Sequence, residues 1–190
     1  MKFTETLHIA QMKHLLYLPL ILLLIVSCGE ETEQEVQHSP VPSQAGDIDH
    51  AGIIESAVFT DLDGNEVTLA DFEGKVLMID FWETWCGPCL QVFPALQELR
   101  EEYPDNFAVL AVTLGMTEGP EEARAFMEEH DYDFYFLYDQ NNVSDQLGIF
   151  SIPFKMYIDP YGNYIKHSLG SRGRQGDYDH AKEVIVEYLD

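Results

Sequence analysis

The stretch from Val76 to Cys89 reads VLMIDFWETWCGPC. Residues 76–82 are apolar apart from Asp80, a pattern typical of a strand that is buried on both faces. The stretch ends in two cysteines separated by Gly87 and Pro88, and a helix is predicted to begin there. This spacing allows the two sulfur atoms to close one small disulfide ring. A CxxC motif at a strand-to-helix junction within an α/β pattern indicates a redox-active dithiol.

The position of the first cysteine at a helix N-terminus favours its thiolate form. Backbone N–H groups and the helix dipole stabilise an anion there, so they lower the pKa of the first thiol. The thiolate is the nucleophile of disulfide exchange, and the local structure therefore predicts chemical reactivity. A purely structural disulfide is the alternative, and it is disfavoured because a bridge that closes so short a loop stabilises little.

Strands and helices alternate on both sides of this motif. Strands are predicted at residues 58–60, 67–69, 76–82, 107–114, 134–138, 154–158 and 164–169, and helices from the motif to about 103 and at 118–130, 143–147 and 181–189. This order predicts an α/β fold, with a mixed central sheet flanked by helices and an N-terminal β-hairpin extension. Residues 53–190 supply one domain with enough chain for a sizeable core.

The N-terminal residues predict export and a lipid anchor. Residues 15–26 form an apolar run after Lys13, shorter than the about 20 residues needed to span a bilayer, which is typical of a secretory signal. The run leads into IVSCG at 25–29, which resembles a bacterial lipobox, in which the cysteine becomes the lipidated first residue. We expect residues 1–28 to be a lipoprotein signal peptide with its lipobox, and Cys28 to be acylated. Cleavage of an ordinary signal peptide is the alternative.

Residues 29–52 are predicted to be an acidic flexible linker, since large apolar side chains are few there. The formal net charge of the whole chain is −24. Nucleic acid is therefore not an expected partner, because phosphate binding needs Lys and Arg. The acidity has two interpretations, solubility and attraction to a basic partner, and we favour solubility. The seven His and six Met lack metal-ligand spacing.

The motif and its surroundings resemble the thioredoxin fold. The resemblance rests on FWETWCGPC at 81–89, on Pro94 in the following helix, and on Ile152-Pro153 before a strand hairpin. The hairpin at 58–75 and the insertion between the motif helix and Ile152 are similar to the TlpA/ResA-like branch of this fold. Members of that branch are membrane-anchored, extracytoplasmic thiol–disulfide oxidoreductases.

This resemblance implies a function for the whole chain. It implies a monomer in the cell envelope that is lipid-anchored to a membrane and faces the periplasm or the cell surface. It also implies electron exchange between protein dithiols and disulfides, with no bound cofactor. Gly87-Pro88 with Asp80 beneath it is similar to reducing thioredoxins, so we expect a protein disulfide reductase that a membrane electron donor recharges. Oxidation of substrates is the alternative direction.

The resemblance also implies roles for three residues of the motif. Cys86 is expected to be the exposed nucleophile, and Cys89 the deeper thiol that resolves the mixed disulfide. Asp80 is expected to be a general base that takes the proton of Cys89, with a pKa raised by burial. The branch more often has Asn at this position, and an Asp that faces solvent at the strand end is the alternative.

Partner docking is expected around the dithiol. Pro153 matches a cis-proline that faces the active site in this fold, and the backbone of Ile152 is expected to pair with an extended segment of the partner. Trp85 is expected to be an exposed docking ring beside Gly87 and Pro88.

Three positions depart from the branch, and two other functions stay open. Glu83 replaces a small residue and would raise the pKa of the nearby thiol. Leu90 stands where basic residues are common, and Phe154 replaces a Thr, which leaves the redox potential and the partner open. A copper metallochaperone on the same fold would use the two motif cysteines and a distant histidine such as His167. A peroxiredoxin-like peroxidase is less favoured, because its Pro-x-x-x-Thr-x-x-Cys context is absent.

Overall fold

A computed structural model describes residues 48–189. Its strands are β1 Val58–Asp61, β2 Glu66–Thr68, β3 Val76–Trp82, β4 Phe107–Thr113, β5 Tyr135–Tyr138, β6 Phe154–Ile158 and β7 Tyr164–Leu169. Its α-helices are α1 His50–Glu55, α2 Gly87–Glu102, α3 Pro120–Glu129, α4 Val143–Gln146 and α5 Gly173–Glu187, and a 3₁₀ helix covers Leu69–Phe72. The strands form one mixed sheet in the order β2-β1-β5-β4-β3-β6-β7. This is the predicted thioredoxin-like arrangement, including the β1–β2 hairpin at its N-terminal end.

Strand β3 lies inside the sheet, which explains its nearly continuous apolar sequence. It pairs in parallel with β4 and antiparallel with β6, and all of its residues are buried. Successive side chains of a strand point to opposite faces of the sheet. Leu77, Ile79 and Phe81 pack with α1, β1 and α4. Val76 and Met78 pack against α2 and α5 on the other face.

The side chains of Asp80 and Trp82 share the face of the sheet that carries α2 and α5, because each lies an even number of positions after Met78 along β3. Trp82 lies 4.9 Å from Phe93 of α2 and 4.8 Å from Phe126 of α3, measured between ring centroids. The carboxyl end of β3 is therefore covered by aromatic packing, and the chain leaves it directly into the CxxC turn.

The last helix differs most from its sequence-based prediction. It begins at Gly173 instead of 181, so its first two turns were missed. Gly173 and Gly176 are poor helix formers, and no apolar repeat precedes Ala181 in this helix. Tertiary contacts hold this part of α5, among them the hydroxyl of Tyr178, which donates to a carboxylate oxygen of Glu102 at 2.5 Å.

The predicted lipobox cysteine, Cys28, and most of the predicted linker lie outside the described residues. The predicted boundary at 52/53 falls within α1. Across residues 48–189, no helix combines the length and apolar character needed to cross a bilayer.

Candidate active site

The two cysteines of the motif form a disulfide at the junction of β3 and α2. Cys86 is the N-cap of α2, and Gly87 and Pro88 are the first residues of the helix. The Cα atoms of Cys86 and Cys89 are 5.2 Å apart. The backbone N–H of Cys89 donates to Cys86 Sγ at 3.2 Å. This contact shows that a helix N–H is already directed at the sulfur on which a thiolate would form.

The exposure that we expected for Cys86 is not observed in this oxidised form. Cys86 retains 4 % of its accessible surface, and Cys89 retains none. Both pack in a cluster with Trp82 and Phe93, and Ile152 lies against this cluster. Access to the disulfide is therefore narrow, and it is greater at Cys86 than at Cys89.

Ile152, which packs against this cluster, is joined to Pro153 by a cis peptide bond. The carbonyl oxygen of Pro153 accepts a hydrogen bond from the N–H of Gly170 at 2.8 Å, which ties the turn to the end of β7. Trp85 is 54 % exposed, whereas Trp82 is fully buried. An exposed aromatic ring and a half-buried aliphatic side chain thus lie close to the sulfur atoms.

Asp80 is completely buried, so the alternative of a solvent-facing carboxylate is wrong. Neither of its carboxylate oxygens has a hydrogen-bond partner within residues 48–189. Burial raises the pKa of Asp80 to about 8; the charge of Lys155 opposes this rise and that of Asp177 adds to it. A carboxyl group in this state can exchange a proton near neutral pH.

A buried ion pair lies next to Asp80, and the sequence analysis missed it. Lys155 is the cross-strand partner of Asp80 in the β3–β6 ladder. Its Nζ lies 2.8 Å from Asp177 Oδ1, and both side chains are at most 2 % exposed. Lysine within the apolar strand FKMYI was a visible signal, as conspicuous as aspartate in β3. Asp177 had no such signal, because its helix has no clear apolar repeat before Ala181.

Glu83 connects the CxxC turn to the loop 114–119. It is buried, and its Oε1 accepts a hydrogen bond from the N–H of Met116 at 3.0 Å. In return Glu118 accepts hydrogen bonds from the backbone N–H and the hydroxyl of Thr84. Burial raises the pKa of Glu83, the Met116 N–H opposes this, and the charge of Glu118 adds to it. The departure noted in the sequence is thus a buried carboxyl group beside the turn.

The indole Nε1 of Trp85 donates to Thr117 Oγ1 at 3.0 Å and adds a further link to the same loop. Sequence reasoning did not find Thr117 or Glu118, which lie more than thirty positions from the turn. These contacts hold the exposed tryptophan ring in one place beside the disulfide.

His167 does not join the cysteines in a metal site. Its Nδ1 lies 2.6 Å from the hydroxyl of Tyr164, and its ring stacks on Phe154 with centroids 5.1 Å apart. Among residues 48–189, no group of three or more His, Cys, Asp and Glu side chains is arranged to hold a metal ion.

Comparison with known proteins places this site within a family. The profile described as the AhpC/TSA family matches residues 51–167. The chain is 30 % identical over 133 residues to the thiol–disulfide oxidoreductase ResA of Bacillus thuringiensis, covering 70 % of this chain and 72 % of that protein. It is 36 % identical over 102 residues to the thioredoxin-like protein YneN of Bacillus subtilis, covering 53 % of this chain and 60 % of that protein.

A solved structure also resembles the domain described above. It is an exposed lipoprotein thioredoxin from Streptococcus pneumoniae, which superposes with a TM-score of 0.57 at 25 % identity. The match covers 69 % of this chain and 98 % of that protein. The sequence relatives and the solved structure thus agree with the fold and the thiol–disulfide chemistry that the CxxC stretch predicts.

Proposed function

Because this chain belongs to the AhpC/TSA family and is a thiol–disulfide oxidoreductase of the ResA type, we propose that it reduces protein disulfides at a membrane surface through Cys86 and Cys89. The observation that carries this proposal is the disulfide at the N-terminus of α2, flanked by the Ile152–Pro153 turn and backed by the buried carboxyl group of Asp80. The arrangement supplies an activated thiol, a resolving thiol, a proton acceptor and a surface for a partner.

Two exchange steps reduce the substrate. The Cys86 thiolate attacks one sulfur of the partner's disulfide, a mixed disulfide forms, and the other partner sulfur leaves as a thiolate. Asp80 then takes the proton of the Cys89 thiol, and the resulting thiolate attacks Cys86 Sγ. The intramolecular disulfide forms and the second partner sulfur leaves. Two electrons pass to the partner, and a membrane electron donor returns two electrons to the protein.

The order of attack follows from the difference between the two sulfur atoms. Cys86 is the helix N-cap and keeps some exposure, whereas Cys89 is fully buried. A partner sulfur therefore meets Cys86 first, and Cys89 reacts only within the molecule. The proposed docking surface surrounds this point and is formed by Trp85, Gly87, Pro88 and Ile152. An extended segment of the partner pairs there with the backbone of Ile152.

The proposed direction is reduction. The Gly-Pro dipeptide resembles reducing thioredoxins, and a carboxyl group at Glu83 disfavours the nearby thiolate and hence the dithiol form. A less stable dithiol form gives up its electrons more readily. We expect a potential near that of thioredoxin, roughly −270 mV, rather than that of a strong oxidant at about −120 mV. Equilibration with glutathione measures it, and a value near the second figure would reverse the proposed direction.

The proposed location is an extracytoplasmic membrane surface, with the domain tethered through acylated Cys28. Support comes from the apolar run at 15–26 and the lipobox-like sequence after it. The similar pneumococcal protein is itself described as an exposed lipoprotein. The acidic residues ahead of α1 would then separate the domain from the bilayer as a tether.

Reduction of a disulfide-containing protein such as insulin tests the function. The purified, reduced protein should reduce one protein disulfide per molecule in a single turnover. Cys86→Ser should abolish this reaction, and Cys89→Ser should stop at a mixed disulfide that is visible on a non-reducing gel. Cys28→Ser is the matched control, because it removes the third cysteine and should leave the yield unchanged. Absence of reduction by the unaltered protein would refute the proposal.

A further inference from the structure

The Lys155–Asp177 ion pair is buried beside the site and has no part in the exchange steps described so far. Lys155 Nζ also donates to the carbonyl oxygen of Gly170 at 2.7 Å, so two of its three donors point away from β3. Buried charges are costly unless they are paired, so a pair placed here calls for an explanation. The pair lies across the β3–β6 ladder from Asp80.

Two buried carboxyl groups lie near one buried ammonium group in this cluster, and only Asp177 is hydrogen-bonded to it. Asp177 accepts three kinds of donor: Lys155 Nζ at 2.8 Å, the Ser171 hydroxyl at 2.6 Å and the Arg172 N–H at 3.0 Å. Asp80 accepts no hydrogen bond within the described part of the chain. One positive charge balances one carboxylate. Asp177 has the ammonium group and two further hydrogen-bond donors beside it, whereas Asp80 has no donor among the described residues, so the proton stays on Asp80.

The other titratable groups around Asp80 do not change this balance. Tyr157, also on β6, is buried, and burial raises its pKa, so its phenol is neutral. Arg172 lies in the loop before α5 and is largely exposed. Cys89, on α2, is held in the disulfide. The neighbouring strand β4 presents Ala111 opposite Asp80.

We propose that Asp177 and Lys155 are positioning residues for proton transfer, with Asp177 holding the ammonium group of Lys155 away from Asp80 so that Asp80 stores the proton exchanged with Cys89. This inference rests on the proposed function. During recharging, the electron donor breaks the disulfide, and the leaving Cys89 sulfur takes the proton from Asp80. During substrate reduction the same proton returns from the Cys89 thiol to the Asp80 carboxylate. Lys155 stabilises that carboxylate while it is ionised, and Asp177 limits how far it does so.

The arrangement predicts that substitutions of Asp177 and of Lys155 shift the pKa of Asp80 in opposite directions. Asp177→Asn releases the ammonium group toward Asp80, which favours the ionised carboxylate and lowers the pKa of Asp80. Lys155→Met removes the one positive charge that residues 48–189 bury next to Asp80, and this raises the pKa of Asp80. The double variant loses both effects. The influence of Lys155 on Asp80 exceeds that of Asp177, so the double variant should lie between the unaltered protein and Lys155→Met.

Two measurements on the full-length chain test this order. The first is an NMR titration of the Asp80 side-chain carboxyl carbon in the oxidised protein. The second is the pH dependence of resolution, followed as the second phase of thionitrobenzoate release after Cys86 attacks a small aromatic disulfide. Asp177→Asn should lower both midpoints by about one pH unit, and Lys155→Met should raise both by about the same amount. A shift of this size is a tenfold change in the base form at fixed pH. A structural role alone would lower the stability of both variants without separating their midpoints.

Asp179→Asn is the matched control, because it makes the same chemical change at an exposed position of the same helix. It should leave both midpoints in place. If Lys155→Met does not fold, the midpoints of Asp177→Asn must still lie below those of the unaltered protein, and the midpoints of the double variant above them. Midpoints that all move together, or do not move, overturn the inference. Failure of the unaltered protein to release any thionitrobenzoate would refute the proposed function instead, while the NMR titration would still test the buried cluster.

Discussion

Replacement of Asp80 by Asn should stabilise the folded protein, and the gain should grow with pH. The pKa of Asp80 is raised by burial from its ordinary 3.8 to about 8. Between these values the unfolded chain has released the proton and the folded chain keeps it. Stability therefore falls as pH rises through this window, and the loss is complete above about pH 8.

The size of this effect follows from the two pKa values. Each pH unit within the window lowers the free energy of unfolding by about 1.4 kcal/mol. At pH 7 the unfolded chain has released the Asp80 proton, and the free energy of unfolding is therefore about 4 kcal/mol lower than at acidic pH. Asn has nearly the same shape and does not ionise, so Asp80→Asn removes the whole pH-dependent cost. The stability difference between the variant and the unaltered protein should increase by about 3 kcal/mol between pH 5 and pH 7.

Urea unfolding of the oxidised protein at pH 5, 7 and 9 measures this difference. Comparison of the two proteins at each pH cancels the other titrating groups. Asp131→Asn serves as the control, because Asp131 is exposed, and its difference from the unaltered protein should stay flat. The reasoning is refuted if the difference for Asp80→Asn is equally flat, because Asp80 would then be ionised in the folded state.

Three further outcomes are expected. In the reduced protein, Cys86 should be alkylated by iodoacetamide near pH 7 well before Cys89, as read by peptide mass spectrometry; faster labelling of Cys89 would reverse the assignment of nucleophile and resolver. Glu83→Gln should lower the pKa of the Cys86 thiol and speed its alkylation several-fold near pH 7, because ionised Glu83 places a negative charge near the thiolate and the substitution removes it. Thiolate absorbance measures this, and Glu121→Gln, at an exposed position of α3, should change nothing. The mature N-terminal peptide from the membrane fraction should carry acyl mass on Cys28, and a soluble chain that begins at another residue would contradict the anchor.

Local sequence was sufficient to predict most of the fold. The strand at 76–82, the CxxC turn and the helix after it are encoded by neighbouring residues, because apolar runs and covalent spacing act over a few positions. The β6–β7 hairpin was predicted to the residue for the same reason. The first turns of α5 were missed, because glycines and polar residues there carry no periodic signal and distant contacts hold the helix.

The sequence by itself determined the chemistry of this protein, since two cysteines at a strand-to-helix junction can be recognised without knowing what surrounds them. It also placed Asp80 in an apolar strand, where we expected burial and kept a solvent-facing strand end as the alternative. Only the tertiary structure decided what surrounds that carboxyl group. Lys155 is brought to it by non-local strand pairing, and Asp177 by the packing of α5 on the sheet. Such contacts depend on which strands and helices pack together. Lys155 and Asp177 are 22 positions apart, so no local sequence pattern indicates that they form an ion pair.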